Sequence, residues 1–267
     1  MKMVIVSNIV NACNAWQLTV NTWSSTYYIN ARSVLALWLF LFCPLWGKKY
    51  FRLAGGKAEK DQHMRFDLQT IASWITPRSR VLDLGCGAGE LLKFLQDQKE
   101  VIGTGIELDS EKASQGIISG VNIIHGDIHE EIRDYQDRTF DYVILSQTLQ
   151  QVYKPALLLH EMLRVGHKGV VSFPNYSHYK NRVFFFFRGR APMSKELPYA
   201  WFDTPNIRVV PIKDFRHFCS IFGFEILKET AISTYYHEEY GRKVRFLPNL
   251  LATYGIYLLT KKEPDSI

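Results

Sequence analysis

The sequence predicts an α/β fold built on a doubly wound, mostly parallel sheet with helices on both faces. Two patterns from Met64 onwards lead to this expectation. Short β-branched and leucine-rich segments alternate with amphipathic segments, which is typical of βαβ units. Glycines directly follow the first short segment, and acidic residues follow the next two. Ligands of such sheets bind beyond the carboxyl ends of the strands, where the strand order reverses.

Five strands and four helices are predicted in order along this part of the chain. The apolar runs that predict strands are residues 80–85, 101–108, 121–127, 140–147 and 168–175. The runs with helical spacing are residues 65–75, 89–98, 110–119 and 156–165. Pro77 is expected to stop the first helix, and Ser110 is the expected N-cap of the third.

The glycine turn in "RVLDLGCGAGELL" does not have the pattern of a phosphate-binding loop. Gly85, Gly87 and Gly89 form G-x-G-x-G, whereas a dinucleotide fingerprint needs a third glycine at the position of Glu90. No G-x-x-x-x-G-K-[ST] motif is present either. Asp83 stands two residues before the first glycine. A carboxylate there repels a pyrophosphate. It attracts a cation by on the order of 4 kcal/mol when the two charges lie 4 Å apart at an intermediate dielectric constant.

S-adenosylmethionine fits these residues because it carries an ammonium and a sulfonium but no phosphate. Glu107 ends the second strand, 22 residues after Gly85, near the spacing at which an acid accepts the ribose hydroxyls. Asp127 ends the third strand and is expected to accept the adenine amino group, with Ile128 against the ring. Cys86, in the turn, and Ser146, at the end of the fourth strand, complete the predicted cofactor site.

Charge and cysteine usage narrow the class of protein further. The net charge of +6 divides into +5 for residues 1–63 and +1 for residues 64–267, so the main body does not predict nucleic-acid binding. The four cysteines are scattered, without a C-x-x-C pair or a neighbouring histidine cluster. This distribution predicts a reducing compartment, the cytoplasm, and no metal site.

Residues 1–63 differ from the rest and allow three interpretations. The apolar run "VLALWLFLFCPLW", residues 34–46, contains a proline and is shorter than the roughly 20 residues of a membrane span. A membrane anchor or interfacial segment is one interpretation, and a signal peptide, whose apolar core normally lies nearer the N-terminus, is another. The favoured interpretation is that translation begins at Met64, so membrane association is expected only if residues 34–46 are an anchor.

The motifs identify a resemblance to a known family. "VLDLGCGAGELL", "GIELD", "HGDI" and "FDYVILSQTLQ" resemble successive motifs of the class I S-adenosylmethionine-dependent methyltransferases. More narrowly, "VGHKGVVSFPN", "FFFRGRAPMSKELPYAWFDTPNIR" and the Asp214–Phe215 pair resemble the methionine biosynthesis protein MetW. The likeness covers roughly residues 64–230, and the run at residues 197–208 is its most particular part.

This resemblance implies a Rossmann-like sheet of seven strands and a place in methionine biosynthesis. The expected methyltransferase-like domain spans residues 64–235, with a lid insertion at about 176–208, and residues 236–267 complete it. Proteins of this family are associated with the acyl transfer step on homoserine. The implied partner is therefore homoserine O-acetyltransferase, with S-adenosylmethionine or S-adenosylhomocysteine as the ligand.

The resemblance does not define a reaction, and two hypotheses remain. Related small-molecule methyltransferases often place His-Val after the fourth strand, where this chain has Gln151-Val152, and glutamine is not a general base. His160, His178 and Asp203 are other candidate bases, but none has a spacing that singles it out. The chain is thus expected to act with or regulate the acyltransferase; the alternative is an active methyltransferase with an unidentified small acceptor.

The aromatic run at residues 184–187 also has two interpretations. It either packs within the core or the lid, or forms an exposed surface for a partner. Four arginines of the same stretch are candidates for clamping a substrate carboxylate: Arg182, Arg188, Arg190 and Arg208.

Overall fold

The computed structural model of the 267-residue chain describes residues 64–194, 197–234 and 239–262. The predictions for residues 1–63, including the apolar run at 34–46, lie outside these described residues. Within the described ranges, no helix is both long enough and apolar enough to cross a membrane.

The described residues form one eight-stranded sheet. Its strands are β1 (Arg80–Leu84), β2 (Ile102–Glu107), β3 (Ile123–His125), β4 (Phe140–Ser146), β5 (Gly166–Pro174), β6 (Phe224–Thr234), β7 (Gly241–Lys243) and β8 (Tyr254–Lys261). They lie in the order β3-β2-β1-β4-β5-β8-β6-β7. The pairs among β1 to β5 are parallel, and the pairs that involve β6, β7 and β8 are antiparallel. The predicted fold class is confirmed, and the short edge strand β7 accounts for the eighth strand.

Eight helices accompany this sheet in the described ranges. They are α1 (Phe66–Ala72), α2 (Glu90–Lys99), α3 (Ser110–Ile118), α4 (Ile128–Glu131), α5 (Pro155–Val165), α6 (Tyr179–Arg188), α7 (Ile212–Phe222) and α8 (Pro248–Leu251). Short 3₁₀ turns at Ile132–Asp134 and Leu149–Gln151 follow α4 and β4. The four predicted helices correspond to α1, α2, α3 and α5.

The core lies on both faces of the sheet, because successive residues of a strand point to opposite sides. In β1, Val81 packs in one apolar cluster, which includes residues of α1 and α2. Leu82 and Leu84 pack in the other cluster, which includes residues of α5 and α7. This arrangement covers both faces of the parallel strands with helices, as the long apolar runs of those strands require.

One predicted helix cap is wrong. Ser110 is the first residue of α3, and the N-cap is Asp109, whose side chain accepts hydrogen bonds from the backbone N–H groups of Glu111 and Lys112. Aspartate and serine are comparably good N-caps, so composition alone does not distinguish the two neighbouring positions.

The strand order places a crevice at the carboxyl ends of β1 and β4. The chain runs outward from β1 through β2 to β3 and then returns to β4, which pairs with β1 on its other side. This reversal of winding direction is the point at which doubly wound sheets bind ligands, because the connecting loops diverge there.

Candidate cofactor site

A cavity of about 530 Å³ opens at this crevice. That volume falls within the usual range for small-molecule sites. Eight of the nine residues predicted for the cofactor site line it: Asp83, Gly85, Cys86, Gly87, Glu107, Asp127, Ile128 and Ser146. The ninth, Gly89, is not among the lining residues.

The glycine turn brings main chain to the wall of the cavity. Gly85 and Gly87 both have positive φ angles, 74° and 59°, in the region that side chains rarely adopt. A Cβ atom on Gly85 would lie 2.6 Å from Thr148 Oγ1, whereas one on Gly87 would meet nothing within 4 Å. Gly87 therefore leaves space in the cavity that any side chain would occupy.

Gly89 contributes to the site indirectly, through the start of α2. It is the N-cap of α2 with a φ of 75°, and a Cβ atom there would lie 3.1 Å from Val121. The third glycine thus allows helix and loop to pack closely behind the cavity wall.

Asp83 is the most unusual group in the cavity. Only 3% of the residue is exposed, and its Oδ1 atom has no hydrogen-bond partner among the described residues. Burial, and secondarily the negative charge of Glu107, raise the pKa of the Asp83 carboxyl to about 7. A cationic donor placed against this oxygen would satisfy it and favour the ionised form.

Glu107 connects the second strand to the glycine turn. Its Oε2 atom accepts a hydrogen bond from the Gly87 N–H at 2.7 Å, and its Oε1 atom accepts one from the Asp109 N–H at 3.0 Å. These bonds fix the carboxylate at the cavity wall. Each carboxylate oxygen has two lone-pair sites, so Glu107 retains the capacity to accept hydroxyl groups of a ligand.

The start of α4 and the end of β4 also line the cavity. Asp127 is the N-cap of α4, and its Oδ1 atom accepts a hydrogen bond from the His129 N–H at 2.7 Å. Ile128 is half-buried beside it. The Ser146 hydroxyl lies 3.0 Å from that of Ser172, which orients it within the sheet.

Cys86 lines the cavity as an unreactive thiol. Its Sγ atom lies 3.7 Å from the carbonyl oxygen of Gly87. Burial raises the pKa of this thiol above its ordinary value, and the charges of Asp83 and Glu107 raise it further. A thiol held neutral in this way is a poor nucleophile.

Several lining residues were not predicted from the sequence, above all Arg65 and Gln147. Both bond to the buried Asp67: Arg65 Nη2 lies 3.1 Å from its Oδ2 atom, and Gln147 Nε2 donates to the same oxygen at 2.6 Å. The Nε atom of Arg65 is buried without a partner in the described structure. Gln147 has a φ of 53°, a strained conformation directly after β4 that local sequence patterns do not reveal.

The candidate bases lie away from the cavity. His160 is exposed, with its ring 4.7 Å from that of Phe224. His178 is buried against Tyr179, with 4.6 Å between ring centroids, and Asp203 is exposed. None of the three lines the cavity, whereas Gln151 does.

Among the residues that the structure describes, three of the four candidate arginines have a local partner. Arg208 Nη2 donates to the carbonyl oxygen of Tyr153 at 2.6 Å, and Arg182 Nε donates to that of Ser177 at 2.7 Å. The Arg188 guanidinium lies 4.9 Å from the centre of the Phe184 ring. These contacts do not form a common clamp for a carboxylate.

The fold is that of solved S-adenosylmethionine-dependent methyltransferases. One such protein from Thermotoga maritima, described as a possible histamine N-methyltransferase, has a TM-score of 0.52 at 18% identity, covering 73% of this chain and 87% of that one. Another, from Archaeoglobus fulgidus, has a TM-score of 0.55 at 16% identity, covering 73% and 91%. At these identities the likeness defines the fold alone.

The chain belongs to the MetW family. The sequence model described as "Methionine biosynthesis protein MetW" matches residues 65–259, which confirms the family inferred from the motifs. A relative from Rhodopirellula baltica, the bifunctional methionine biosynthesis protein MetXA/MetW, is 36% identical over 165 residues. The match covers 58% of this chain but only 26% of that relative, so this chain corresponds to about a quarter of the bifunctional protein.

Proposed function

We propose that the cavity binds S-adenosylmethionine or S-adenosylhomocysteine. The observation that carries this proposal is the buried Asp83 oxygen without a partner, beside a glycine turn that leaves open space at Gly87. The ammonium of the methionine moiety is the donor that this oxygen lacks. Glu107 then accepts the ribose hydroxyls, and Asp127 and Ile128 hold the adenine.

Charge at the cavity supports a cationic ligand over a phosphorylated one. Asp83 and Glu107 lie close enough for one charge to raise the pKa of the other. Lys112 also lines the cavity, but its Nζ atom lies 3.3 Å from Asp109, which offsets its charge. A pyrophosphate beside the two carboxylates would face net repulsion.

The biological role proposed for this ligand site is regulation in the cytoplasm rather than methyl transfer. The chain acts with homoserine O-acetyltransferase, and the adenosyl ligand modulates that partnership. The bifunctional MetXA/MetW relative supports this partnership, because its name describes MetXA and MetW as parts of a single chain. Gln151 also supports it, because a glutamine lines the cavity where a catalytic imidazole would be expected.

The second candidate function is methyl transfer to a small acceptor. His129 and Tyr153 both line the cavity, so titratable groups are available there for proton transfer. The solved methyltransferases that share the fold are consistent with this candidate, although they carry no argument about the acceptor.

Calorimetric titration of the full chain with S-adenosylmethionine, with and without purified homoserine O-acetyltransferase, tests both candidates. Binding together with a changed acyltransferase rate, and without formation of S-adenosylhomocysteine, is the expected result. Turnover of labelled S-adenosylmethionine in a small-molecule extract would instead establish the second candidate. Tight binding of NAD or ATP but not of S-adenosylmethionine would refute the cofactor assignment.

A further inference from the structure

A segment after β5 exposes large aromatic side chains to solvent. This aromatic segment comprises residues 179–194 and 197–202, that is, α6 and the chain that follows it. Phe186, Phe187, Trp201 and Phe202 are 81%, 77%, 78% and 75% exposed. The rings of Phe186 and Phe187 lie 5.1 Å apart, edge to face. The exposure supports the second of the two interpretations of this aromatic run.

The fold does not require these aromatic side chains for its own packing. Asn181 is the one buried residue of α6, and its Nδ2 atom donates to the carbonyl oxygen of Tyr176 at 3.1 Å. Polar contacts thus attach the start of the helix. Three consecutive exposed phenylalanines leave apolar area in water that an interface would remove.

The aromatic segment is also basic, whereas the preceding part of the domain is acidic. Residues 179–194 contain four basic residues and no acidic one, a net charge of +4. Residues 64–175 contain 11 basic and 15 acidic residues, a net charge of −4. Three of the four basic residues in the segment are arginines, and arginine with aromatic residues is the composition enriched in protein interfaces.

We propose that the aromatic segment is the docking surface for a protein with an apolar face and an acidic rim. Resting on the function proposed above, that protein is homoserine O-acetyltransferase. Two copies of this surface are not expected to pair with each other, because symmetric pairing would bring together two segments that each carry a net charge of +4.

Arg208, six residues beyond the end of the docking surface, bonds through its main chain and its side chain to the loop after β4. The Arg208 N–H donates to the carbonyl oxygen of Gln150 at 3.0 Å, and its guanidinium donates to that of Tyr153 at 2.6 Å. Tyr153 itself lines the cavity. Docking and ligand binding are therefore expected to be coupled reciprocally, each changing the affinity of the other by the same factor.

The decisive experiment measures the affinity of the full chain for purified homoserine O-acetyltransferase. The double variant Phe186→Ser/Phe187→Ser is expected to weaken binding at least about tenfold, since central aromatic residues are typical hot spots. The matched control is Phe246→Ser, which removes an aromatic side chain that is 74% exposed elsewhere. All three proteins should unfold at the same temperature and bind S-adenosylmethionine equally well.

A charge variant tests the basic residues of the docking surface separately. Arg190→Glu should slow association and reduce its salt dependence, because rim charges act mainly on the association rate. The exposed Arg245, which lies outside the segment, provides the control variant Arg245→Glu, for which no change is expected.

Four results would overturn the proposal, and they differ in meaning. Full affinity in the double variant would show that the acyltransferase binds the chain elsewhere, not at the aromatic segment. No binding by the unaltered protein would exclude the proposed partnership as well. Binding to phosphatidylglycerol vesicles that the double variant loses would assign the surface to a membrane. A dimer that the same variant converts to monomers would assign it to a second copy.

Discussion

Asp83 is a carboxylic acid held almost entirely out of water, with one oxygen lacking a hydrogen-bond partner in the described structure. In the ligand-free protein, burial raises its pKa to about 7. A bound ammonium would lower that pKa again, because an opposite charge favours the ionised form. Ligand affinity and protein stability should therefore depend on pH in opposite directions at this residue.

The affinity for S-adenosylmethionine is expected to rise with pH up to about 7 and then level off. Binding requires the ionised Asp83, so well below its pKa of about 7 the affinity should change about tenfold per pH unit. Calorimetry between pH 5.5 and 7.5 measures this dependence, together with the proton that binding releases. Asp83→Asn should bind about tenfold to a hundredfold more weakly at pH 7.5. A flat profile in the unaltered protein would contradict the prediction.

The stability of the ligand-free protein should show the reverse dependence. The folded-state pKa of Asp83 is about 7, above the ordinary 3.8. The stabilisation that the protonated side chain contributes to the unfolding free energy is therefore fully present below pH 4. It is lost as the pH rises to about 7. Asp83→Asn should therefore be more stable than the unaltered protein at pH 8, by an amount that shrinks at pH 5. Thermal unfolding at the two pH values measures this difference. An equal difference at both would show that the carboxyl ionises normally.

Gly87→Val is expected to abolish ligand binding by a local effect. The new side chain would project into open space in the cavity and would adopt a φ of 59°, which β-branched residues strongly disfavour. The matched control is Gly120→Val. Gly120 has a φ of 83°, and a Cβ atom there likewise meets nothing within 4 Å. Gly120 is not among the residues that line the cavity. Both variants should lose stability, and only Gly87→Val should lose affinity, measured by calorimetry.

At the scale of elements, a buried asparagine holds the base of the segment between β5 and α7. Asn175 Nδ2 donates to the carbonyl oxygens of Asn249 and Ala252, at 3.1 and 2.9 Å. Its Oδ1 atom accepts from the N–H groups of Ser177 and Ile212, at 3.2 and 3.4 Å. One side chain thus joins both ends of this segment to the turn before β8.

Asn175→Ala should therefore destabilise the protein by about 2–4 kcal/mol, because it leaves several buried backbone groups unsatisfied. Trypsin cleavage within α6 should also become faster, since both ends of the segment would be released. Asn122→Ala is the control: it removes an exposed side chain whose Nδ2 atom donates to Thr104 Oγ1 at 3.1 Å, and its effect should be small. Equal unfolding temperatures for the two variants would contradict the prediction.

The sequence predicted the elements better than the contacts between them. Strands such as β4 and helices such as α5 follow from local apolar periodicity, because burial imposes it on each element. The bonds of Asp67 to Gln147 and of Asn175 to Ala252 join residues about 80 positions apart, which local patterns do not encode. The same limit explains why Arg65 was missed while the acids at the strand ends, placed by their spacing, were found at the cavity.

At the scale of the whole molecule, the sheet depends on a strand from the C-terminal part of the chain. β8 pairs with β5 on one side and with β6 on the other. Its residues Tyr254, Ile256 and Tyr257 are buried. The expectation that residues 236–267 complete the domain thus becomes a specific proposal, in which β8 joins the parallel and antiparallel parts of the sheet.

Truncation after Thr234 should therefore prevent cooperative folding. It removes β7 and β8 and leaves facing edges of β5 and β6 without partners, which favours aggregation. Truncation after Lys262 is the control and should leave thermal unfolding unchanged. A soluble, cooperatively unfolding product of the shorter chain would show that β8 is dispensable.

The place of β8 in the sheet also has a consequence during synthesis. The ribosome produces β5 and then β6 before β8, although β8 lies between them. The nascent chain must therefore carry two strands that each have one unpaired edge until β8 emerges. Such intermediates expose apolar surface and are targets for chaperones, so the yield in cells is expected to respond to chaperone supply more than the stability of the finished fold suggests.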